Sequence, residues 1–88
     1  MAQIDGEHLE AFNSFNKIMY DKLNTPKNLA KPSWRNLDRS FLLKRIDDEY
    51  KELQEAFQIK TDDEIISECA DVANFCMMLV DVISRGKK

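Results

Sequence analysis

The sequence predicts an all-α chain of three helices, and three observations support this. Only two of the 88 residues are Gly and two are Pro, so few positions interrupt a helix. Three segments repeat their apolar residues at steps of three and four, which is the spacing of one helix face. No stretch alternates apolar and polar residues as a half-buried strand would. The 43% hydrophobic and 33% charged residues suit a compact helical domain rather than a disordered chain.

The first helix is predicted over residues 5–23. Asp5 is a suitable N-cap, because its carboxylate can accept a bond from a free amide of the first turn. The helix should end at Asn24-Thr25-Pro26, because a residue before proline avoids helical backbone angles. Its apolar stripe consists of Ala11, Phe12, Phe15, Ile18, Met19 and Leu23.

A loop is predicted over residues 24–36, "NTPKNLAKPSWRN", which contains both prolines and the only tryptophan. Two interpretations stay open. In one, the loop is a connector and Trp34 fills the core. In the other, Trp34 stacks on a nucleotide base while Lys31 and Arg35, with Lys27, meet phosphates.

The second helix is predicted over residues 37–57. Its apolar positions are Leu42, Leu43, Ile46, Tyr50, Leu53 and Phe57. At about 100° per residue, Glu49 falls at the edge of this stripe, with Arg45 and Glu52 further round on the same side. The other charged residues face solvent: Lys44, Asp48, Lys51 and Glu55.

The third helix is predicted over residues 62–84 and begins with a capping box, "TDDE", in which Thr61 accepts from the Glu64 amide. Its apolar residues wrap most of the circumference, which is typical of a helix buried on nearly all sides. Two other helices cannot easily cover it, so we expect a partner subunit. Cys69 and Cys76 lie about 10 Å apart on this helix, too far for a disulfide, and are expected as free thiols.

Four acids form the most unusual feature of the sequence. Glu68 and Asp71 lie three residues apart inside the apolar third helix, where burial of an unpartnered carboxylate is costly. Glu49 and Glu52 have the same spacing, which places both on one helix face. A short connection favours antiparallel packing, so the four carboxylates can converge. Such crowded charges suit a hard divalent cation such as Mg²⁺, although Glu49 and Glu52 alone are also typical of a solvated face.

Glu49-x-x-Glu52, fifteen residues, then Glu68-x-x-Asp71 resembles the MazG-type all-α nucleoside triphosphate pyrophosphatases, over about residues 32–83. The resemblance implies hydrolysis of an NTP or dNTP to the monophosphate and pyrophosphate, in nucleotide house-cleaning or pool control. It implies that the four acids are the catalytic residues and bind Mg²⁺ or Mn²⁺. It also implies paired subunits, with a four-helix core in a homodimer or homotetramer.

Other substrate contacts are expected beside the acids. Arg45, one turn before Glu49, is predicted to pair with an acid or a phosphate. Asn74 is predicted either to touch substrate or metal-bound water, or to be a buried amide that bonds across the dimer. Only "SRGKK" follows the third helix, so we expect base recognition from the loop around Trp34, the first helix or a neighbouring subunit.

Composition argues against several classes of protein. A net charge of −3 disfavours a nucleic-acid-binding surface. The N-terminus lacks a basic-then-apolar leader, and polar residues interrupt the apolar run of the third helix, so we expect a cytoplasmic protein without a membrane span. One His and two distant Cys form no zinc pattern. The alternative to an enzyme is a non-catalytic helical dimerisation module that binds nucleotide or metal.

Overall fold

A computed structural model describes the backbone of residues 2–86 and the side chains of residues 6–86, and this part of the chain consists of four α-helices and one 3₁₀ turn. No strand occurs within this range, so the all-α prediction is confirmed. The prediction of three helices was wrong in number, because the predicted loop contains a further short helix. The elements are α1 (Ala2–Leu23), α2 (Pro26–Leu29), the 3₁₀ turn (Trp34–Asn36), α3 (Arg39–Ile59) and α4 (Asp62–Ser84).

Helix α1 begins three residues earlier than predicted, so Asp5 lies inside its first turns and is not its N-cap. The helix ends at Leu23, where polar side chains satisfy its last carbonyls. Asn24 Nδ2 donates to the Tyr20 carbonyl at 2.7 Å, and Asn28 Nδ2 donates to the Lys22 carbonyl at 2.7 Å. These bonds fix the C-terminal end of α1, where free carbonyls would otherwise need water.

The predicted loop, residues 24–36, is more regular than expected. Pro26 stands at the first position of α2, where its missing N–H costs nothing, and Thr25 caps the helix by accepting from the Asn28 amide. Ser33 similarly accepts from the Arg35 amide at the start of the 3₁₀ turn. The proline that ends one helix therefore starts another.

Helices α3 and α4 both begin at side-chain caps. Leu37 is extended, and the carboxylate of Asp38 accepts from the Phe41 amide at 2.8 Å, so α3 starts two residues later than predicted and ends two residues later. Thr61 accepts from the Glu64 amide at 3.3 Å, as the capping box predicts. The Glu64 carboxylate accepts from the Thr61 hydroxyl at 3.3 Å.

Helix α4 lies at the centre of the arrangement. Both α1 and α3 pack against it, whereas α1 and α3 do not pack on each other within residues 2–86. Only Lys60 and Thr61 separate α3 from α4, so the two helices are antiparallel neighbours. No helix in this range has an apolar stretch long enough to cross a bilayer. The fully buried apolar side chains are Leu42, Ala56, Ala70 and Val82.

Candidate metal centre

Antiparallel packing of α3 on α4 brings three carboxylates together. One oxygen from each of Glu49, Glu68 and Asp71 lies within 4.8 Å of the other two. Glu49 is 6% exposed, while Glu68 and Asp71 are half-buried. We call these three residues together with Glu52 the acid cluster.

Glu52 occupies the rim of the acid cluster. It is exposed, and it lies close enough to hydrogen-bond with Glu49 and to repel Glu68. The four predicted acids therefore meet in one place, but they differ in burial. Glu49 forms the buried end and Glu52 faces water.

Crowding of like charges changes the protonation of the acid cluster. Burial, followed by the hydrogen bond and the negative charge of Glu52 and the charge of Asp71, raises the pKa of Glu49 to about 7. Burial, together with the hydrogen bond and charge of Asp71, also raises the pKa of Glu68. The site therefore has more negative charge than its neighbours neutralise, and its donors are all carboxylate oxygens. Such a donor set fits a hard cation such as Mg²⁺ or Mn²⁺.

Arg45 is one neighbour that offsets part of this charge. Its Nη2 lies 3.2 Å from Glu49 Oε2 and its Nη1 lies 3.3 Å from Asp48 Oδ2. The guanidinium also lies over the Phe75 ring of α4, 5.0 Å from the ring centre. The arginine therefore pairs with acids, as predicted, and it is held between α3 and α4.

Lys22 of α1 is a second cation at the cluster, and the sequence analysis missed it. Its Nζ lies 3.4 Å from Asp71 Oδ2 and donates to the Ser67 hydroxyl. A signal was present, because Lys22 follows Ile18 by four residues and Met19 by three, and so lies on the apolar stripe of α1. A cation on the stripe that faces α4 needs a partner there.

Trp34 and Arg35 lie away from the acid cluster within one chain. Trp34 Nε1 donates to Asp81 Oδ2 at 2.9 Å, and Arg35 Nε donates to the same oxygen at 3.0 Å. Asp81 follows Asp71 by ten residues, about 15 Å along α4. Lys31 is exposed. Substrate binding by these three residues stays a prediction.

Asn74 bonds to the backbone of α1. It is 3% exposed, its Nδ2 donates to the Met19 carbonyl at 3.2 Å, and its Oδ1 has no hydrogen-bond partner. The residue lines a groove of about 620 Å³ between α1 and α4, together with Tyr20 of α1 and Met77 of α4. Both predicted roles of Asn74 stay predictions.

One known protein family matches most of the chain. The sequence profile described as phosphoribosyl-ATP pyrophosphohydrolase matches residues 12–83, which include Lys22 and the whole acid cluster. No curated protein and no solved structure matched the chain. The matched family belongs to the all-α MazG-like superfamily, so the resemblance seen in the sequence is supported at that level. The chain therefore belongs to the phosphoribosyl-ATP pyrophosphohydrolase family.

Proposed function

We propose that this protein is a metal-dependent pyrophosphohydrolase that cleaves an NTP or dNTP to the monophosphate and pyrophosphate. Membership of the family implies pyrophosphohydrolase activity on a nucleotide-like substrate. The observation that supports a metal-dependent site is the meeting of three carboxylate oxygens within 4.8 Å, one of them on a buried side chain. We further propose that this activity serves nucleotide house-cleaning or pool control in the cytoplasm.

Glu49, Glu68 and Asp71, with Glu52 at the rim, are the residues that would hold Mg²⁺ or Mn²⁺. The raised pKa values of Glu49 and Glu68 support this assignment, because they reflect negative charge that a cation would neutralise. When bound, the cation supplies positive charge, which lets a polyphosphate approach carboxylates that would otherwise repel it. These four acids remain the proposed catalytic residues.

The remaining chemistry needs proton transfer and positioning rather than a nucleophilic side chain. A water oxygen attacks the α-phosphorus, and the bond from that phosphorus to the α–β bridging oxygen breaks. The bridging oxygen leaves with the bonding electrons as part of pyrophosphate. Glu52 faces water and is suited to accept the proton of the attacking water. Arg45 orients Glu49 through the 3.2 Å ion pair.

Phosphoribosyl-ATP is a second candidate substrate, because the matched family is named for it. It offers the same triphosphate, and its cleavage at the same bond also releases pyrophosphate. The two candidates differ only beyond the polyphosphate, where the base and sugar contacts are made. Of the predicted contacts, Trp34 would stack on the base there, whereas Lys31 and Arg35 would meet phosphates and Asn74 would touch substrate or metal-bound water.

A substrate panel with resolved products tests the proposal. The protein is incubated with Mg²⁺ and each NTP, each dNTP or phosphoribosyl-ATP, and the products are separated by ion-exchange chromatography. We expect the monophosphate (phosphoribosyl-AMP for the last substrate) and pyrophosphate in equal amounts. Diphosphate with orthophosphate would contradict cleavage at the α-phosphorus. Nucleotide binding without turnover would favour the non-catalytic module.

Two variants and a matched control locate the activity. E49Q and E68Q remove one charged oxygen donor each without changing side-chain size, so we expect each to lower turnover by at least a hundredfold. E55Q is the control, because Glu55 lies on the same helix as Glu49 but is exposed. Full activity in both E49Q and E68Q would overturn the site assignment.

A second copy of the chain is the proposed partner. The apolar surface of α4 is only partly covered within one chain, with Ile66, Met77, Val80 and Ile83 all exposed. A homodimer, alone or within a homotetramer, would bury this surface in a four-helix core. No nucleic acid or membrane partner is proposed.

A further inference from the structure

Lys22 differs from Lys17, the other lysine of α1, in the residues that it contacts. Its ion pair with Asp71 joins α1 to α4, and the two side chains are 29% and 22% exposed. Lys17, one turn or so earlier, pairs with Asp21 on its own helix, with both side chains mostly exposed. Exposed ion pairs such as Lys17–Asp21 contribute little to stability. Solvent and salt screen a half-buried cation less, so Lys22 interacts more strongly with the nearby acids.

The backbone around Lys22 is held in place. Its carbonyl accepts from Asn28 Nδ2 at 2.7 Å and from the Thr25 hydroxyl at 3.2 Å. The end of α1 is therefore fixed where the lysine leaves it. The long side chain can still move its ammonium by a few ångströms, because lysine has four rotatable side-chain bonds.

The acid cluster has a carboxylate of α3 on one side and the ammonium of Lys22 on the other. Glu49 comes from α3 and Lys22 comes from α1, and these helices do not pack on each other among the described residues. Glu68 and Asp71 on α4 lie between them. Lys22 donates to Ser67 and pairs with Asp71, and an ammonium has three donors, so one more bond is open to it.

We propose that Lys22 binds the polyphosphate of the substrate from the α1 side of the acid cluster and holds Asp71 in place before substrate arrives. The proposal rests on the proposed function. An anionic chain attracted to a cation at the acid cluster lies within reach of an ammonium 3.4 Å from an Asp71 oxygen. Lysine is a common phosphate ligand as a point charge.

If the proposal is correct, K22M should change the affinities for metal and for pyrophosphate in opposite directions. Loss of a positive charge beside Asp71 should strengthen binding of Mn²⁺ alone, by about three- to thirtyfold for charges a few ångströms apart at intermediate dielectric. The same loss should weaken binding of pyrophosphate at saturating Mg²⁺ by about tenfold or more. A lysine that only tethers α1 to α4 would not produce opposite shifts.

Calorimetric titration with Mn²⁺, and then with inorganic pyrophosphate in Mg²⁺, measures both affinities for wild type, K22M and K22R. K22R keeps the charge, so we expect it to retain pyrophosphate binding to within a few-fold. K17M is the matched control on the same helix and should equal wild type in both titrations.

S67A keeps every charge but removes the hydroxyl that accepts from Lys22, and we expect a smaller, about threefold, loss of pyrophosphate affinity. If K22M does not fold, the pyrophosphate affinities of K22R and S67A test the proposal instead, because retained affinity in K22R and reduced affinity in S67A are both expected.

Three results would overturn the proposal. Pyrophosphate affinity in K22M within twofold of wild type would remove Lys22 from the polyphosphate site while leaving the proposed function intact. Parallel loss of Mn²⁺ and pyrophosphate binding, with a lower melting temperature, would make Lys22 a structural tether. Wild-type protein that binds neither Mn²⁺ nor pyrophosphate would overturn the proposed function, and this proposal with it.

Discussion

At the scale of single residues, Glu49 makes the metal-free protein sensitive to pH. Its pKa is about 7 in the folded chain against an ordinary value of 4.5. The unfolded chain therefore releases this proton near pH 4.5, while the folded chain keeps it until about pH 7. Between these values the folded state binds more protons, so the free energy of unfolding falls as pH rises.

We expect the free energy of unfolding of the metal-free protein to drop between pH 5 and pH 8 by on the order of 3 kcal/mol. Glu68 adds to the decline, because its pKa is raised as well. Stability should also fall below about pH 4, since partners in ion pairs and hydrogen bonds lower the pKa values of Asp48 and Asp81 in the folded chain. Urea denaturation in the presence of EDTA, followed by circular dichroism over this pH range, measures the decrease in stability on the acid side and the decrease toward pH 8.

Two controls show whether Glu49 causes this pH dependence. E49Q cannot ionise at this position, so its stability should decline less between pH 5 and pH 8 than that of wild type. Saturating Mg²⁺ should reverse the wild-type decline, because the cation binds the ionised cluster of the folded state. Wild-type stability that rises steadily from pH 5 to pH 8 in EDTA would contradict the crowding of charges.

The sequence could predict which acids meet, but not which cations join them. Glu68 and Asp71 stand out because carboxylates are rare inside an apolar helix, and helical spacing then selects Glu49 and Glu52. The Lys22 contact depends on how α1 crosses α4, which no local pattern encodes. The different burial of Glu49 and Glu52 likewise follows from the packing of α3 on α4.

At the scale of elements, Asp81 joins the segment before α3 to the end of α4. One of its oxygens accepts from Trp34 and Arg35, at 2.9 and 3.0 Å, and the other accepts from Arg85 at 3.0 Å. Three donors on one carboxylate hold the 3₁₀ turn against α4. The indole of Trp34 is half-buried there.

We expect D81N to release this connection and to lower the melting temperature, because an amide cannot accept three charge-assisted or indole bonds with the same strength. Trp34 is the only tryptophan, so its fluorescence should shift to longer wavelength as the indole gains water. D21N is the matched control, since Asp21 pairs with Lys17 on an exposed surface and should leave both readouts unchanged. An unshifted emission maximum in D81N would show that apolar packing alone holds the indole.

Element boundaries were harder to predict than element type. The apolar stripes of the long helices depend on the 3.6-residue period and identify α1, α3 and α4. Helix α2 has only four residues, too few for a period to show, and its start depends on Thr25 and Pro26 acting as cap and first residue. The start of α3 likewise depends on a local side-chain cap, in which Asp38 accepts from the Phe41 amide. Asp is a preferred N-cap residue, so the sequence did contain a signal for this boundary.

At the scale of the whole molecule, a single chain is more open than its length requires. Its radius of gyration is 14.6 Å, whereas a compact domain of this length is expected near about 12 Å. Large apolar side chains are exposed on every long helix, among them Phe12 at 61%, Phe57 at 73% and Val80 at 62%. Buried Asn74 Oδ1 also lacks a donor, which typically costs about 1–3 kcal/mol. These features are typical of a subunit whose core is completed by another chain.

We therefore expect the protein to sediment as a dimer or tetramer of its 10.3-kDa chain at micromolar concentration. V80E places a charge on the exposed apolar face of α4, where dimer formation would bury it, and should weaken association at least tenfold. Q58E is the matched control, because Gln58 is an exposed polar residue of α3 and tolerates a charge. Sedimentation velocity over a concentration series measures both variants. A wild-type chain that remains monomeric at 100 µM, or a V80E chain that associates as tightly as wild type, would contradict an interface on this face of α4.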